Sequence, residues 1–440
     1  MHSSKTKKFF TLILLILMLI VTERIFGYLL TPVSYADYYN YDIQDIKDKK
    51  ENVSMIFAGA SRTYRTFVPS IFEETLGIDK VINAGSSSQP ISATYYQTKE
   101  LVKEFHPKYV VIGVTYDQLI SEESTQGKLI VYDRLKNPFI KTEFALNCFK
   151  GTEKLYLLNS YRFRDNLSIE NMKQYINDKQ ELKNSGYSVD KQANEYYADN
   201  GFVYSNRFYE NGNIAIEGEG KFNYSDIKID SLKYMDKIVE LCEKNDITLY
   251  LVTGPTTMMR IYNTENYQEA DEFYHEYAEQ KGIVYHNLNL IKDRENILPD
   301  SLMHDYNHVN GKGAEVISRL YAEILKESIK GKNTEGYFYS SLQEMKKDVN
   351  RVVAVGADIS VKNGEAIIKC NSLQNEEIIP EYQILLSEDG ANYNIITDYT
   401  IETQQKINIP QNRNYKIRIN ARCKGSENAY DAFQEYSYIN

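Results

Sequence analysis

Met303-His304-Asp305-Tyr306-Asn307-His308-Val309-Asn310-Gly311-Lys312-Gly313-Ala314 is the stretch on which the reading of this chain turns. It is polar, holds two of the chain's six histidines, and opens into an apolar-periodic run from Gly311 to Ile329 in which Ile317, Leu320, Tyr321, Ile324 and Leu325 recur at helical spacing. Asp305 and His308 stand three apart in a loop at the start of that helix. This spacing lets a carboxylate reach the imidazole Nδ1–H, hold one tautomer, and leave Nε2 as a base. The competing reading is structural, with Asp305 as a helix cap.

Upstream, strand and helix alternate. Short apolar runs at Val53 to Ala58, Lys80 to Ala84, Tyr109 to Val114, Ile247 to Thr253 and Ile283 to Leu288 read as strands buried on both faces. Helical patterns lie between them at Phe67 to Leu76, Pro90 to Phe105, Ser231 to Lys244 and Asn263 to Lys281. Five such strands predict a parallel sheet covered by helices on both sides. Ser61 follows the first strand in the turn Gly59-Ala60-Ser61, where ligands and nucleophiles of open α/β sheets gather. A plain N-cap role for Ser61 competes with that reading.

Residues 118–230 break the alternation. They are polar, rich in Tyr and Asn, and read as an inserted cap, expected to pack over the carboxyl ends of the strands. After a linker at 334–349, residues 350–440 change to short alternating strands with turn signals such as Asp389-Gly390, as in a small β-sandwich. Residues 31–52 read as a stalk or first helix, and 53–333 as the main domain. Cys370 and Cys423 would end the second and sixth strands of a seven-stranded sandwich, in opposite sheets. A cross-sheet disulfide and two free thiols both fit that placement.

At the N-terminus, Lys5, Lys7 and Lys8 precede an apolar run from Phe9 to Val21, resumed from Ile25 to Leu30 after Glu23 and Arg24. The whole of residues 1–30 suits a membrane anchor with a cytoplasmic N-terminus and an exported remainder. The alternative is a signal peptide cleaved near Ser34-Tyr35-Ala36. The 440 residues carry 51 basic and 61 acidic side chains, a net charge of -10, which disfavours a nucleic-acid binder. The four cysteines form no CxxC pair, which disfavours a zinc or thioredoxin-like site; no metal and no cofactor are expected.

Three blocks then resemble one family. Gly59-Ala60-Ser61, Asn83-Ala84-Gly85 and Asp305-x-x-His308 with its following Val-Asn-Gly-Lys-Gly-Ala look like the conserved blocks of the SGNH (GDSL-like) hydrolase superfamily. The resemblance covers roughly residues 53–117 and 231–330, and implies a flavodoxin-like sheet. It implies Ser61 as nucleophile, His308 as base and Asp305 as its orienter, with the backbone N–H groups of Ser61 and Gly85 as oxyanion donors beside Asn83. The family's third block carries an Asn donor; this chain has Val114-Thr115-Tyr116-Asp117, so either Thr115 or Tyr116 donates through a hydroxyl or the site uses backbone donors alone.

Membrane-tethered members with a divergent first block and a long insertion act on cell-envelope polymers, as in teichoic-acid D-alanylation and alginate O-acetylation. Their likeness implies acyl transfer or ester hydrolysis on an extracellular polysaccharide or teichoic-acid-like acceptor, with a membrane acyl-donor protein as a partner. The C-terminal Tyr415 to Ala421 resembles a strand of a fibronectin type III-like module. A non-catalytic surface scaffold that keeps the fold is the alternative, and the missing Asn favours it.

Overall fold

The strand Val53–Gly59 (β1) is apolar because both its faces are covered, and all seven of its residues are buried. Alternate side chains enter two cores, with Ile56 and Ala58 on one face and Met55 and Phe57 on the other. In the computed structural model, which describes residues 2–209, 221–410 and 413–438, β1 is flanked by Lys80–Asn83 (β2) and Tyr109–Gly113 (β3). A hairpin, Glu195–Asp199 (β4) with Phe202–Ser205 (β5), interrupts the series. Thr248–Thr253 (β6) and Val284–Asn287 (β7) complete the parallel sheet in the order β2-β1-β3-β6-β7. The order turns back between β1 and β3, so the loops leaving these two strands diverge and leave a crevice at their carboxyl ends.

Helices Ile91–Phe105, Ile229–Lys244 and Tyr267–Lys281 cover one face. Helices Ser61–Thr66, Pro69–Leu76 and Gly311–Ile329 cover the other, where Phe57 stacks on Phe67 at 4.7 Å. The predicted inward face of the last helix is buried at Ile317, Tyr321, Ile324 and Leu325, with Leu320 packed at its margin. The sheet, its helices, the C-terminal antiparallel sheets and one apolar N-terminal helix match the architecture expected from sequence.

Of the two readings of residues 31–52, stalk or first helix, the structure has the helix. It spans Tyr35–Lys49 and packs on the main domain because Tyr39 and Ile46, seven apart, share an apolar face. The Arg134 guanidinium lies over the Tyr39 ring at 4.3 Å.

The inserted segment is not one lid, and residues 210–220 of it lie outside the described residues. Helices Thr125–Arg134 and Pro138–Cys148 pack beside helix Ile91–Phe105 on a flank of the sheet. Residues 159–185 pack on the N-terminal helix. Hairpin β4–β5 lies at the end of β2, where the Asn83 N–H donates to the Asn200 carbonyl at 2.8 Å. Gly201, at φ 93°, is needed there, since a Cβ would sit 1.7 Å from the Asn83 carbonyl oxygen.

Seven C-terminal strands form the two sheets. Ala354–Lys362 (β8), Glu365–Leu373 (β9) and Gln404–Asn408 (β12) pair as β12-β9-β8. Pro380–Ser387 (β10), Asn394–Thr400 (β11), Tyr415–Cys423 (β13) and Ala432–Tyr438 (β14) pair as β11-β10-β13-β14. Cys370 and Cys423 lie on the second and sixth of these strands, in opposite sheets, and both are free thiols. Burial raises the Cys370 thiol to about 12 and the Cys423 thiol to about 11.

Candidate active site

Gly59 ends β1 at φ 148°, a conformation open to glycine, and a Cβ there would lie 2.5 Å from Thr63 Oγ1 and 2.6 Å from the Gly113 carbonyl. The chain can therefore turn sharply into the helix Ser61–Thr66, with Ser61 as its first residue at the mouth of the crevice. Gly113 on the neighbouring strand is equally constrained, since its Cβ would fall 2.0 Å from Thr63 Oγ1.

The loop before the last helix brings the partners in. His308 Nε2 lies 2.7 Å from Ser61 Oγ, and His308 Nδ1 lies 2.9 and 3.0 Å from the two oxygens of Asp305. With Nδ1–H donating to the carboxylate, Nε2 accepts from the Ser61 hydroxyl. Asp305 Oδ1 also accepts the backbone N–H of Asn307 at 2.7 Å and of His308 at 2.9 Å. Burial disfavours the Asp305 anion, but the hydrogen bond and charge of His308, those N–H groups and His304 outweigh it and bring the carboxyl down to about 2. Burial lowers the His308 pKa, and the Arg65 and Arg62 guanidiniums lower it further. Asp305 offsets part of this, and the net shift is below the ordinary 6.5. At neutral pH the dyad is thus a carboxylate and a neutral imidazole, poised as a base.

A second ring of polar groups surrounds the Asp305 carboxylate. His304 Nε2 lies 3.4 Å from Asp305 Oδ2 and 3.5 Å from Glu195 Oε1, while its Nδ1 lies 2.6 Å from Ser205 Oγ. Arg65 donates to Glu195 Oε2 at 2.7 Å. Burial and the Arg65 charge lower the His304 pKa. Hairpin β4–β5 therefore reaches the site through Glu195 and Ser205, a contribution that no spacing in the sequence announced.

Beside Ser61 and His308 lies a cleft of about 290 Å³, walled by Ser88, Gln89, Thr115, Asp117, Gln118, Arg62 and Arg260. Of the described residues of the inserted segment, only those near its start, such as Gln118 and Ser121 to Ser124, reach this wall. Arg260 donates to Asp117 at 3.1 Å and to the Tyr116 hydroxyl at 3.2 Å, and Arg62 donates to Asn307 Oδ1 at 3.3 Å. Among the described residues no group of three or more His, Cys, Asp or Glu side chains is arranged to hold a metal ion.

The oxyanion assignments need correction. Asn83 is fully buried behind the helix. Its Nδ2 donates to the carbonyls of Thr63 and Phe67 at 3.0 and 2.8 Å, and its Oδ1 takes the Gly85 N–H at 3.1 Å. Gly85 is thus committed, and its carbonyl receives Arg134 at 2.9 Å. Tyr116 is 6% exposed, with its hydroxyl turned to Arg260 rather than to Ser61. Thr115 borders the cleft, but its N–H and hydroxyl face Gln118 Oε1 at 3.0 and 3.4 Å, capping the short helix Tyr116–Ile120.

Sequence reasoning also missed Ser88, which lines the cleft at φ 49°, a strained conformation for a non-glycine residue. Among the described residues no acceptor takes the N–H of Ser61 or of Ser88. Only the run Ser86-Ser87-Ser88 marked this loop in the sequence, and nothing in it distinguished the third serine.

Asn83 holds the end of the helix Ser61–Thr66 against β2 with two hydrogen bonds and takes the Gly85 N–H with a third; removing it leaves the Phe67 carbonyl and the Gly85 N–H without these partners, while the Thr63 carbonyl keeps the Phe67 N–H. Asn83→Ala is expected to cost about 3 kcal/mol, read as a lower chemical-denaturation midpoint. A loss under about 1 kcal/mol would mean that water or a shifted backbone replaces the clamp.

No protein-family model matches the chain, and no curated protein matches it. Among solved structures, it is similar to a protein described as lipolytic, of the G-D-S-L family, from Desulfitobacterium hafniense DCB-2. That match has 14% identity and a TM-score of 0.30, over 62% of this chain and 99% of that one. A GDSL-like lipase from Bacteroides thetaiotaomicron VPI-5482 matches at 13% identity and a TM-score of 0.31, over 67% of this chain and 100% of that one. A protein described as an acylhydrolase, from Bacteroides fragilis NCTC 9343, gives 13%, 0.31, 68% and 99%. Likeness at this level decides neither activity nor substrate.

Proposed function

We propose that this chain is a membrane-anchored serine hydrolase or O-acyltransferase of the SGNH type, acting on acyl groups of an extracellular cell-envelope glycopolymer. The observation that carries the reading is the continuous hydrogen-bonded line from Ser61 through His308 to Asp305 at the carboxyl end of β1. His308 takes the proton of Ser61 Oγ as the oxygen attacks an acyl ester carbonyl, and Asp305 stabilises the resulting imidazolium. The backbone N–H groups of Ser61 and Ser88, residues that line the cleft and whose N–H groups have no acceptor among the described residues, would serve the new oxyanion. His308 returns the proton to the departing alcohol. The acyl group on Ser61 then passes to water or to an acceptor hydroxyl, activated by the same imidazole.

The wall of the cleft supports a hydroxyl-rich substrate. Among the described residues that wall the cleft, Gln89, Thr115, Asp117, Gln118 and Ser121 carry polar side chains able to meet hydroxyl groups. An acetyl or D-alanyl group on a polysaccharide or teichoic-acid-like acceptor fits this better than a lipid ester. The stretch Lys8–Leu30 is long and apolar enough to cross a membrane. With the basic residues before it, we read it as an anchor that leaves the catalytic domain outside, where a membrane acyl-donor protein can supply the group. The three- and four-stranded sheets of residues 354–438 support a fibronectin type III-like spacer or glycan-contacting module.

The scaffold reading rests on one observation, the absence of a side-chain oxyanion donor at Thr115 and Tyr116. Incubation of the detergent-solubilised full chain with a fluorophosphonate separates the two. A single adduct on Ser61, mapped by peptide mass spectrometry, is expected of the enzyme. Folded protein that takes no adduct would leave the scaffold reading standing.

A further inference from the structure

The outer end of the N-terminal helix is gripped by the inserted segment. Ser160 donates its N–H to Glu23 at 3.2 Å and its hydroxyl to the same carboxylate. Gly27 lets the turn come close, since a Cβ there would lie 3.1 Å from the Asn159 Cβ. Asn166 donates to the Leu30 carbonyl at 3.3 Å, and the Lys179 ammonium donates to the carbonyls of Tyr28 and Thr31, a cation at the carboxyl end of a helix.

These contacts fix a depth. Twenty-three residues from Lys8 to Leu30 rise about 34 Å, little more than the ~30 Å of a hydrocarbon core. A span using that stretch ends near Leu30 and puts Glu23, seven residues back, about 10 Å below its outer edge. The turn that holds Glu23 and Gly27 then lies about 4 to 10 Å below that edge, among the upper methylenes of the acyl chains, the depth to which the apolar face of an interfacial segment enters.

That turn is dressed for such a place. Leu155, Leu158, Leu167 and Ile169 are 43, 45, 63 and 74% exposed, and Tyr156 stands among them. Residues 150–169 carry four basic and two acidic side chains in a chain of net charge -10. Apolar side chains, a Tyr at the boundary and a basic surplus make up the composition of segments that lie in an anionic membrane surface.

We propose that residues 150–169 form a collar inserted in the outer surface of the bilayer around the exit of the N-terminal helix, its occupant being phospholipid. The collar fixes the tilt of the catalytic domain, and with it the height of the Ser61 cleft above the lipid. This rests on reading Lys8–Leu30 as a membrane span.

The chain has no tryptophan, so one introduced Trp reports its own surroundings. The full chain is placed in vesicles of phosphatidylcholine and phosphatidylglycerol with plain or brominated acyl chains. Three variants are compared: Leu158→Trp in the collar, Leu17→Trp in the span, and Tyr430→Trp on the C-terminal sandwich. Brominated lipid is expected to cut the emission of Leu158→Trp and Leu17→Trp by about twofold or more, as for residues at or below the acyl boundary, and to leave Tyr430→Trp unchanged. Quenching of Leu17→Trp without Leu158→Trp overturns the collar and leaves the anchor intact. Quenching of neither overturns both. Equal quenching of all three overturns the collar as a specific contact.

Discussion

Ser61→Ala is expected to lower turnover of an acyl ester by about 10⁴-fold or more while leaving the fold in place. The loss is large because, in the proposed reaction, Ser61 Oγ forms the covalent intermediate. Its 2.7 Å contact with His308 Nε2 supplies the general base. The cost to stability is small by contrast, since the side chain gives up one hydrogen bond at a half-buried site, worth about 1 kcal/mol. The check is steady-state hydrolysis of a chromogenic acetyl ester beside a circular-dichroism melt of the same preparation. A variant that keeps a tenth of the activity, with an unchanged melt, would remove Ser61 from the chemistry.

Asp305→Asn should cost a similar order of magnitude, about 10⁴-fold in kcat. Its pH profile should distinguish a catalytic orienter from a structural one. The carboxylate accepts Nδ1–H from His308, which leaves Nε2 without a proton. An amide can instead donate to Nδ1 and hold the wrong tautomer. Activity of the wild type needs neutral His308, so it should fall as pH drops through a pKa below 6.5 and be flat above it. Burial sets the direction of that shift, and Asp305 opposes it. Removing the carboxylate should therefore move the acid limb to lower pH still, along with the fall in plateau rate. A limb that moved upward would mean that the charge of Asp305 does not act on His308.

The sheet was legible because it is written in local patterns. Strands buried on both faces must be apolar throughout, and the five runs from Val53 to Leu288 match the observed strands to within a residue or so at each end. The last helix, Gly311–Ile329, has the bounds its periodicity and the following Lys-rich stretch indicate. Asp305 and His308 were legible for a related reason, since a contact between residues three apart hardly depends on the rest of the chain.

Residues 31–52 and 118–230 were legible only in part because their partners are remote. Tyr39 reads as one Tyr among 38 until Arg134 lies over it, and Glu195 reads as a surface acid until Arg65 and His304 meet it. Polar, weakly periodic segments say little about which surface they cover, because that is decided by complementarity with surfaces assembled from elsewhere.

By itself, then, the sequence determined a parallel α/β sheet, a C-terminal β-sandwich, an apolar N-terminal helix and the pairing of Asp305 with His308. Each of these depends on side-chain periodicity or on spacing of a few residues, and both survive in the unfolded chain. Only the tertiary structure decided that Ser61 meets His308 across 247 residues of chain. It also turned Asn83 and Gly85 inward as a clamp and presented Ser88 to the cleft in their place. Each of these is the position of a polar atom to within a hydrogen bond's length. Such a position follows from how whole elements pack, and no local pattern encodes it.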